Sequence, residues 1–311
     1  MSARRSSATS SKTHARGFTL PEVLICAAIA GIVTLAASSG YVFMTKSWVQ
    51  QQARLQTQQQ LRSAVAAVTR EARVAGACML DNPPADVQPV SGVDNGTTDS
   101  ITIRANPHCA KGAIVGADCA ACTSFTVNPA TNFAGLGGTW GYLYAGAGQH
   151  QYFKILSVVG STINVDTTTG PPITGTYLQN TTAVYAVEAR TFAISSTCPT
   201  CGGVPSLTLT LLGGSEEALV KGVDLFDIQY VFNDDYDPTN CVSSTGGGRP
   251  LCVVNLPQSA TDWKKVRSVI FDVGARSLRG VGGAGSSDGF LHHNEIFEIS
   301  PRNFQFPAGR L

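Results

Sequence analysis

Charge is scarce in this chain of 311 residues. Only 14% of them are Asp, Glu, Lys or Arg, against about 25% in an ordinary globular protein. The shortage excludes a highly charged disordered polymer. A formal net charge of +1 speaks against a dedicated nucleic-acid binder, which would be strongly basic. Gly (32) and Pro (15) are plentiful but show neither the period of collagen nor the density of a low-complexity chain. No internal repeat appears. No regular alternation of strand and helix patterns appears either, which argues against a doubly wound parallel sheet.

The N-terminus is uneven in charge. Residues 1–17 carry Arg4, Arg5, Lys12 and Arg16 and no acid. Without those four, 18 basic residues stand against 21 acidic ones, a net −3. From Phe18 to Met44 the only charge in 27 residues is Glu22. At 1.5 Å per residue such a run is long enough to cross a bilayer core. A secretory signal would be shorter and would end in a small-residue cleavage site. The basic flank keeps the N-terminus cytoplasmic and puts the remainder outside the inner membrane. Glu22 is costly there, at about 2.5–3.5 kcal/mol in a membrane helix, so it asks for a partner. Cys26, in mid-span, reads as a small buried apolar residue.

After Met44 the sequence becomes polar without losing helical character. Residues 46–75 contain neither Pro nor Gly, and Gly76 then offers a C-cap. Leu61, Val65, Val68 and Ala72 follow 4, 3, 4 spacing, one apolar stripe on a helix of about residues 20–76. The heptads are too few to favour a coiled coil.

The run Gly17-Phe18-Thr19-Leu20-Pro21-Glu22, after a basic leader and before an uninterrupted apolar helix, resembles the prepilin-peptidase site of type IV pilins and type II secretion pseudopilins. The resemblance implies cleavage after Gly17 and N-methylation of Phe18. It makes Glu22 the docking charge that faces the N-terminal amine of a neighbouring subunit. Amine and carboxylate, each costly in an apolar setting, would offset one another and fix the register. Pro21 fits the first helical turn, where its missing N–H breaks no bond.

Beyond residue 77, short β-type runs lie between Gly, Pro, Asn and Asp clusters. They are Ser100–Ala105, Ser124–Asn128, Gly141–Ala145, Tyr152–Val159, Thr162–Asp166, Ala183–Ser195, Ser206–Leu212, Leu225–Asn233, Lys265–Ala275 and Ile296–Ser300. Alternation at Ile101 and Ile103, and at Leu207, Leu209 and Leu211, suits half-buried antiparallel strands. Four stretches narrow the resemblance to PilW-type minor pilins: Thr69–Cys78, Gly222–Asp234, Trp263–Ser277 and Ser300–Asn303. They fall in that family's order, with Glu71 standing where the family more often has Asp-Ile. The expected fold is therefore α+β and pilin-like. A long N-terminal helix, half transmembrane and half amphipathic, packs on an antiparallel β-rich, disulfide-linked domain. The expected segments are a leader at 1–17, a spine at 18–76 with its membrane part at 18–44, and a β-rich body at 77–311.

Setting Cys26 aside, eight cysteines remain: Cys78, Cys109, Cys119, Cys122, Cys198, Cys201, Cys241 and Cys252. In an oxidising compartment an even count points to up to four disulfides, with 105 possible pairings. Cys241–Cys252 is the favoured pair. It would close a Gly- and Ser-rich loop and contribute about 3 kcal/mol. Cys119-x-x-Cys122 and Cys198-x-x-Cys201 could together suggest zinc, but the gap between them is wider than zinc ribbons use. Disulfides, including cross-links between the two segments, are the preferred reading.

Other motifs are weaker. Gly280-x-Gly282-x-x-Gly285 has no helix after it to hold a pyrophosphate. Gly285–Gly289 spells G-x-S-x-G in a loop rather than at a strand-to-helix elbow. Adjacent His292 and His293 would point to opposite faces of a strand. Asp234, Asp235 and Asp237 crowd oxygen donors as calcium prefers, without EF-hand spacing.

No cofactor and no enzymatic activity are expected. The resemblance implies a minor pilin at or near the tip of a type IV pilus, priming filament assembly. Its partners would be prepilin peptidase, other minor pilins, the major pilin, the assembly platform and a tip adhesin. It would sit in the bacterial inner membrane, its body periplasmic, before joining the extracellular pilus. A type II secretion pseudopilin of the GspJ type and a membrane-anchored periplasmic binding protein are the alternatives.

Overall fold

The computed structural model describes residues 18–80, 84, 87–146, 149–232, 242–244, 251–257, 266–280 and 288–300. Gly17, Asp234, Asp235, Asp237, Cys241, Gly282 and Gly285 lie outside them. The chain divides into two compact units, Met1–Gln52 and Ala53–Leu311.

One helix, α1 (Leu20–Val74), begins in the first unit and ends in the second. Within the second unit it buries Thr57, Leu61, Ala64, Val68, Glu71 and Ala72. The expected stripe is thus shifted slightly. Ala64 is fully buried, and Val65 packs beside it as a half-buried neighbour. Alanine at the centre lets the helix backbone come close to the strands beneath. Thr57 satisfies its buried hydroxyl by donating to the Ala53 carbonyl at 2.9 Å. Gly76 stops the helix with φ +74°, where a side chain would be strained. Its N–H donates to the Arg104 carbonyl at 2.8 Å instead of turning back on the helix, so the helix end is tied to a strand.

The strands follow in chain order. β1 (Val90–Val93), β2 (Ser100–Ala105), β3 (Lys111–Val115), β4 (Cys119–Ala120), β5 (Ser124–Asn128) and β6 (Trp140–Tyr144) come first, with a 3-10 turn at Ala130–Phe133. β7 (His150–Val159), β8 (Thr162–Val165), β9 (Thr176–Tyr177), β10 (Ala183–Ser195), β11 (Ser206–Leu211) and β12 (Glu216–Lys221) are next. β13 (Val223–Phe232), β14 (Val242–Ser244), β15 (Leu251–Val254), β16 (Val266–Arg276) and β17 (His292–Ile299) complete the set. Every pairing between these strands is antiparallel.

β10 organises the body. Its first half pairs with β3 on one side, at Ala183↔Ala113, and with β6 on the other, at Ala183↔Tyr144. The order β10-β3-β5-β8-β7-β6 then returns to β10, which closes a six-stranded barrel. Ile114, Val127, Leu143, Phe153, Ile155, Ile163 and Val184 fill it. The second half of β10 leaves the barrel and pairs with β2 and β11, giving an open sheet ordered β1-β2-β10-β11-β12. A second sheet runs β14-β15-β13-β16-β17. The main core joins the helix stripe to Ile101, Ile103, Phe192 and Leu207 of the open sheet and to Phe226, Ile228 and Phe271 of the second. Buried Asp99 (1% exposed) ties the two sheets. It accepts from the Asn95 N–H at 2.7 Å and from the Ile228 N–H at 2.9 Å.

Two outcomes follow. Leu61→Ala should lower the unfolding free energy of the full chain in detergent by about 2–5 kcal/mol, because it opens a cavity. Ile32→Ala, at an exposed position in the first unit, should leave the denaturant midpoint unchanged. The second concerns Asp227, which stands opposite Asp272 across β13 and β16. Burial pushes its carboxyl up, and the neighbouring Asp99 charge adds to this. A carboxyl raised in the folded state favours folding when protonated, and that advantage is lost as pH rises from about 4 through the folded value. Asp227→Asn should therefore be more stable than the wild type at pH 7 by about 0.2–1 kcal/mol. The difference should vanish near pH 3 in pH-resolved urea titrations.

Candidate functional site: the helix N-terminus and its anchorage

Among the described residues the first unit is helical and largely apolar. Its most apolar stretch is wholly exposed, and it is the one helix among the described residues long and apolar enough to cross a membrane. Phe18, Leu20, Ile25, Ile29, Ile32 and Leu35 all stand open. Cys26 is free and exposed in the single chain. It belongs to the same uncovered run, and the buried face of the helix begins only at Thr57.

The start of this helix is built by three residues. Thr19 precedes the first helical residue, so it occupies the cap, and its carbonyl accepts the Val23 N–H at 3.2 Å. Glu22 lies three residues on and reaches back. Its Oε2 accepts both the Thr19 backbone N–H and the Thr19 hydroxyl, each at 2.9 Å. A Thr-x-x-Glu pair of this kind satisfies an orphan donor at the helix end, and a carboxylate in the first turn complements the helix dipole. Pro21 sits in that turn, where no N–H is missed. The motif residues Phe18, Thr19 and Glu22 thus meet at one helix end.

The other end of the spine is held by polar contacts that periodicity does not reveal. Glu71 is buried on the helix and pairs with Arg190 of β10 at 2.5 Å and with Arg70 at 2.9 Å. Arg190 also meets Glu188 at 3.0 Å. Asn106, wholly buried, donates to the Cys78 carbonyl at 3.3 Å and exchanges two bonds with Ala110. In the sequence Glu71 stands out only as a departure from a family pattern. A lone acid inside an apolar stripe was the available signal for a buried partner.

The cysteines close mostly on near neighbours. Cys78–Cys109 brings the segment after the helix onto the segment after β2, with Cα atoms 5.0 Å apart. Cys119–Cys122 and Cys198–Cys201 each bridge within their own C-x-x-C. The expected cross-links between those two segments are therefore corrected. Each tetrapeptide folds into a turn that brings its own Cα atoms to 5.1–5.2 Å, and that spends the thiols locally. Cys252 is disulfide-bonded. His292 lies in β17 and bridges Asp224 at 3.2 Å and Asp288 at 2.8 Å. Burial pushes the Asp224 carboxyl up, while His292 and Arg276 pull it back. Asp166 goes the other way, held below the usual carboxylate range by hydrogen bonds from Thr168 and Thr169. Among the described residues no cluster of three or more His, Cys, Asp or Glu side chains is arranged to hold a metal.

Comparison with known proteins agrees with this geometry at the N-terminus. Residues 12–38 match the family described as the prokaryotic N-terminal methylation motif. No curated protein matches the chain. The matched motif and the long helix packed on an antiparallel, disulfide-linked β domain support a pilin-like protein. A leader of this type implies processing by a prepilin peptidase and assembly with other pilins, and it fits inner-membrane anchoring followed by residence in a pilus.

The disulfides differ in the length of chain they close, 31 residues for Cys78–Cys109 and 3 for Cys198–Cys201. By the chain-entropy model, Cys78→Ser with Cys109→Ser should cost about 3–4 kcal/mol. Cys198→Ser with Cys201→Ser should cost about 2 kcal/mol. Urea midpoints of the two double variants in detergent should fall in that order.

Proposed function

We propose that this chain is a minor pilin of the PilW type, built into a type IV pilus at or near the tip, where it primes filament assembly. The observation that carries the reading is the Thr19–Glu22 helix start, set on an uncovered apolar helix whose far half is buried in a β-rich body. In this reading residues 1–17 are a leader, 18–76 the spine, with 18–44 crossing the membrane, and 77–311 the periplasmic and later extracellular body. Gly17 precedes the cut, Phe18 becomes the methylated terminus, and Glu22 docks on the amine of a neighbour. The partners are prepilin peptidase, the assembly platform, the major and other minor pilins, and a tip adhesin.

The body supports a low-copy position over a repeated one. A six-stranded barrel is inserted between the two ends of an otherwise compact helix-on-sheet unit, and such bulk suits a place where few copies must pack side by side. The role is structural and requires neither cofactor nor catalysis.

Tandem mass spectrometry of filaments sheared from the cell surface, run without reduction, tests the reading. The expected result is a peptide beginning at N-methylated Phe18 in the sheared fraction. Processed protein confined to membranes would favour the secretion pseudopilin of the GspJ type, and an intact leader would sink the pilin reading altogether. In the same cells Glu22→Ala should still be inserted and cleaved, but its amount in filaments should fall at least about tenfold, since an unpaired amine is left in the apolar packing.

A further inference from the structure

We propose that Cys78–Cys109 is a thiol-exchange site, a clasp between spine and barrel that a protein dithiol opens and closes in the folded chain, independently of the filament reading. Three disulfides have both halves among the described residues, and in this one alone both half-cystines are exposed. Cys119 is 2% exposed, Cys198 5% and Cys201 0%, while Cys122 is half-buried. A thiol must reach a sulfur to attack a disulfide. Packing shields the two C-x-x-C bridges and leaves Cys78–Cys109 open.

The surroundings let this bond open without unfolding the body. Neither half lies in a helix or a strand, since Cys78 follows the Gly76 cap and Cys109 follows β2. Cys119, by contrast, is held in β4 opposite Tyr177. Opening the clasp therefore breaks no ladder. Both half-cystines also hold left-handed backbone, φ +52° at Cys78 and +49° at Cys109, a region that residues with a side chain seldom occupy. Reduction frees the two residues to leave it. Buried Asn106 keeps the segments together meanwhile. Its backbone N–H donates to the Ala77 carbonyl at 2.9 Å, its carboxamide to the Cys78 carbonyl at 3.3 Å and to the Ala110 carbonyl at 2.9 Å. None of these bonds involves sulfur, so the two thiols stay close enough to join again.

The dithiol alone balances the exchange. Cys109 ends an exposed run, Pro107-His108-Cys109, whereas Cys78 stands between half-buried Ala77 and Met79. Cys109 Sγ is therefore the sulfur attacked. A thiolate of the dithiol bonds to it, the bond to Cys78 breaks, and Cys78 leaves as a thiolate and takes up a proton. The second thiol of the dithiol then loses its proton and attacks its own partner sulfur in the mixed disulfide. That expels Cys109 as a thiolate, which is protonated in turn. Two electrons pass from the dithiol to the cystine, and the dithiol ends as a disulfide. The same steps in reverse close the clasp.

The test is timed thiol labelling of the full chain in detergent, with Cys26 blocked beforehand by N-ethylmaleimide. Dithiothreitol and a reduced protein dithiol of the thioredoxin class are the probes. Iodoacetamide stops the reaction, and peptide mass spectrometry reads each cysteine. Cys78 and Cys109 should be labelled together, at least about tenfold faster than Cys198 and Cys201, because access governs the rate. The near-UV circular dichroism should stay native during that phase, and glutathione disulfide should restore the bond. The double variant Cys198→Ser with Cys201→Ser should keep the fast phase, and Cys78→Ser with Cys109→Ser should lose it. Labelling of Cys78 and Cys109 no faster than that of Cys198 and Cys201 would overturn the proposal. So would labelling that waits for urea concentrations at which the body unfolds. Reduction by dithiothreitol with the protein dithiol inert would overturn a protein as the source of the dithiol and put a small thiol in its place.

Discussion

The stripe Leu61, Ala64, Val68 and Ala72 is the contact on which the body depends. It shares the main core with residues of both sheets, which also meet directly where Thr97 and Asp99, just before β2, exchange backbone hydrogen bonds with Phe226 of β13. Small residues at Ala64 and Ala72 set the distance of approach, and Leu61 and Val68 supply the apolar area. Two polar groups then fix the rotation of the helix. Glu71 can reach Arg190 only if Ala72 faces the core, and the Gly76 N–H can reach Arg104 only if the helix ends at Val74. Apolar contact is tolerant of small rotations and hydrogen bonds are not, so the combination gives a single seating of the helix.

β10 extends that seating to the barrel. Its 13 residues belong first to a closed ring and then to the sheet beneath the helix. Arg190 lies in the second part, so the helix pair and the barrel hang on the same strand. Ala183, the first residue of that strand, also lines an open cavity beside β3.

Much of this is legible in the sequence, and the gaps have physical causes. The helix was readable because absence of Gly and Pro and a 4, 3, 4 stripe are both local properties. Strands β2, β5 and β10 matched their expected bounds because apolar alternation or a long β-branched and aromatic run marks a half-buried or buried strand. β12 was missed because Glu216–Lys221 is charged on alternate residues and looks like a solvated turn. It is a strand only because β11 pairs with it. β17 begins at His292, earlier than its apolar residues suggest, since its first half is exposed and owes its conformation to the ladder with β16. Barrel closure was invisible for the same reason, since β3 and β6 meeting opposite sides of Ala183 is a long-range register. At the N-terminus the reverse holds. Phe18, Thr19 and Glu22 are neighbours in sequence, so their meeting could be read directly, whereas Thr182 and Asn128 are 54 positions apart and share a cleft only through the barrel.

In the role proposed above, Glu22 enters a membrane before any neighbour arrives, and its local geometry bears on the cost of that step. In the single chain both hydrogen bonds from Thr19 fall on one oxygen, Oε2. The local cap offsets part of the cost of an unpaired acid, because a carboxylate that accepts hydrogen bonds is cheaper to desolvate than one that accepts none. It does so without consuming the whole group. A subunit amine approaching Oε1 would meet a carboxylate already oriented by the helix end, so docking need not first break the cap. Thr19 and Glu22 therefore act as one unit. The hydroxyl and N–H of the first hold the carboxylate of the second in the direction in which the helix axis presents it.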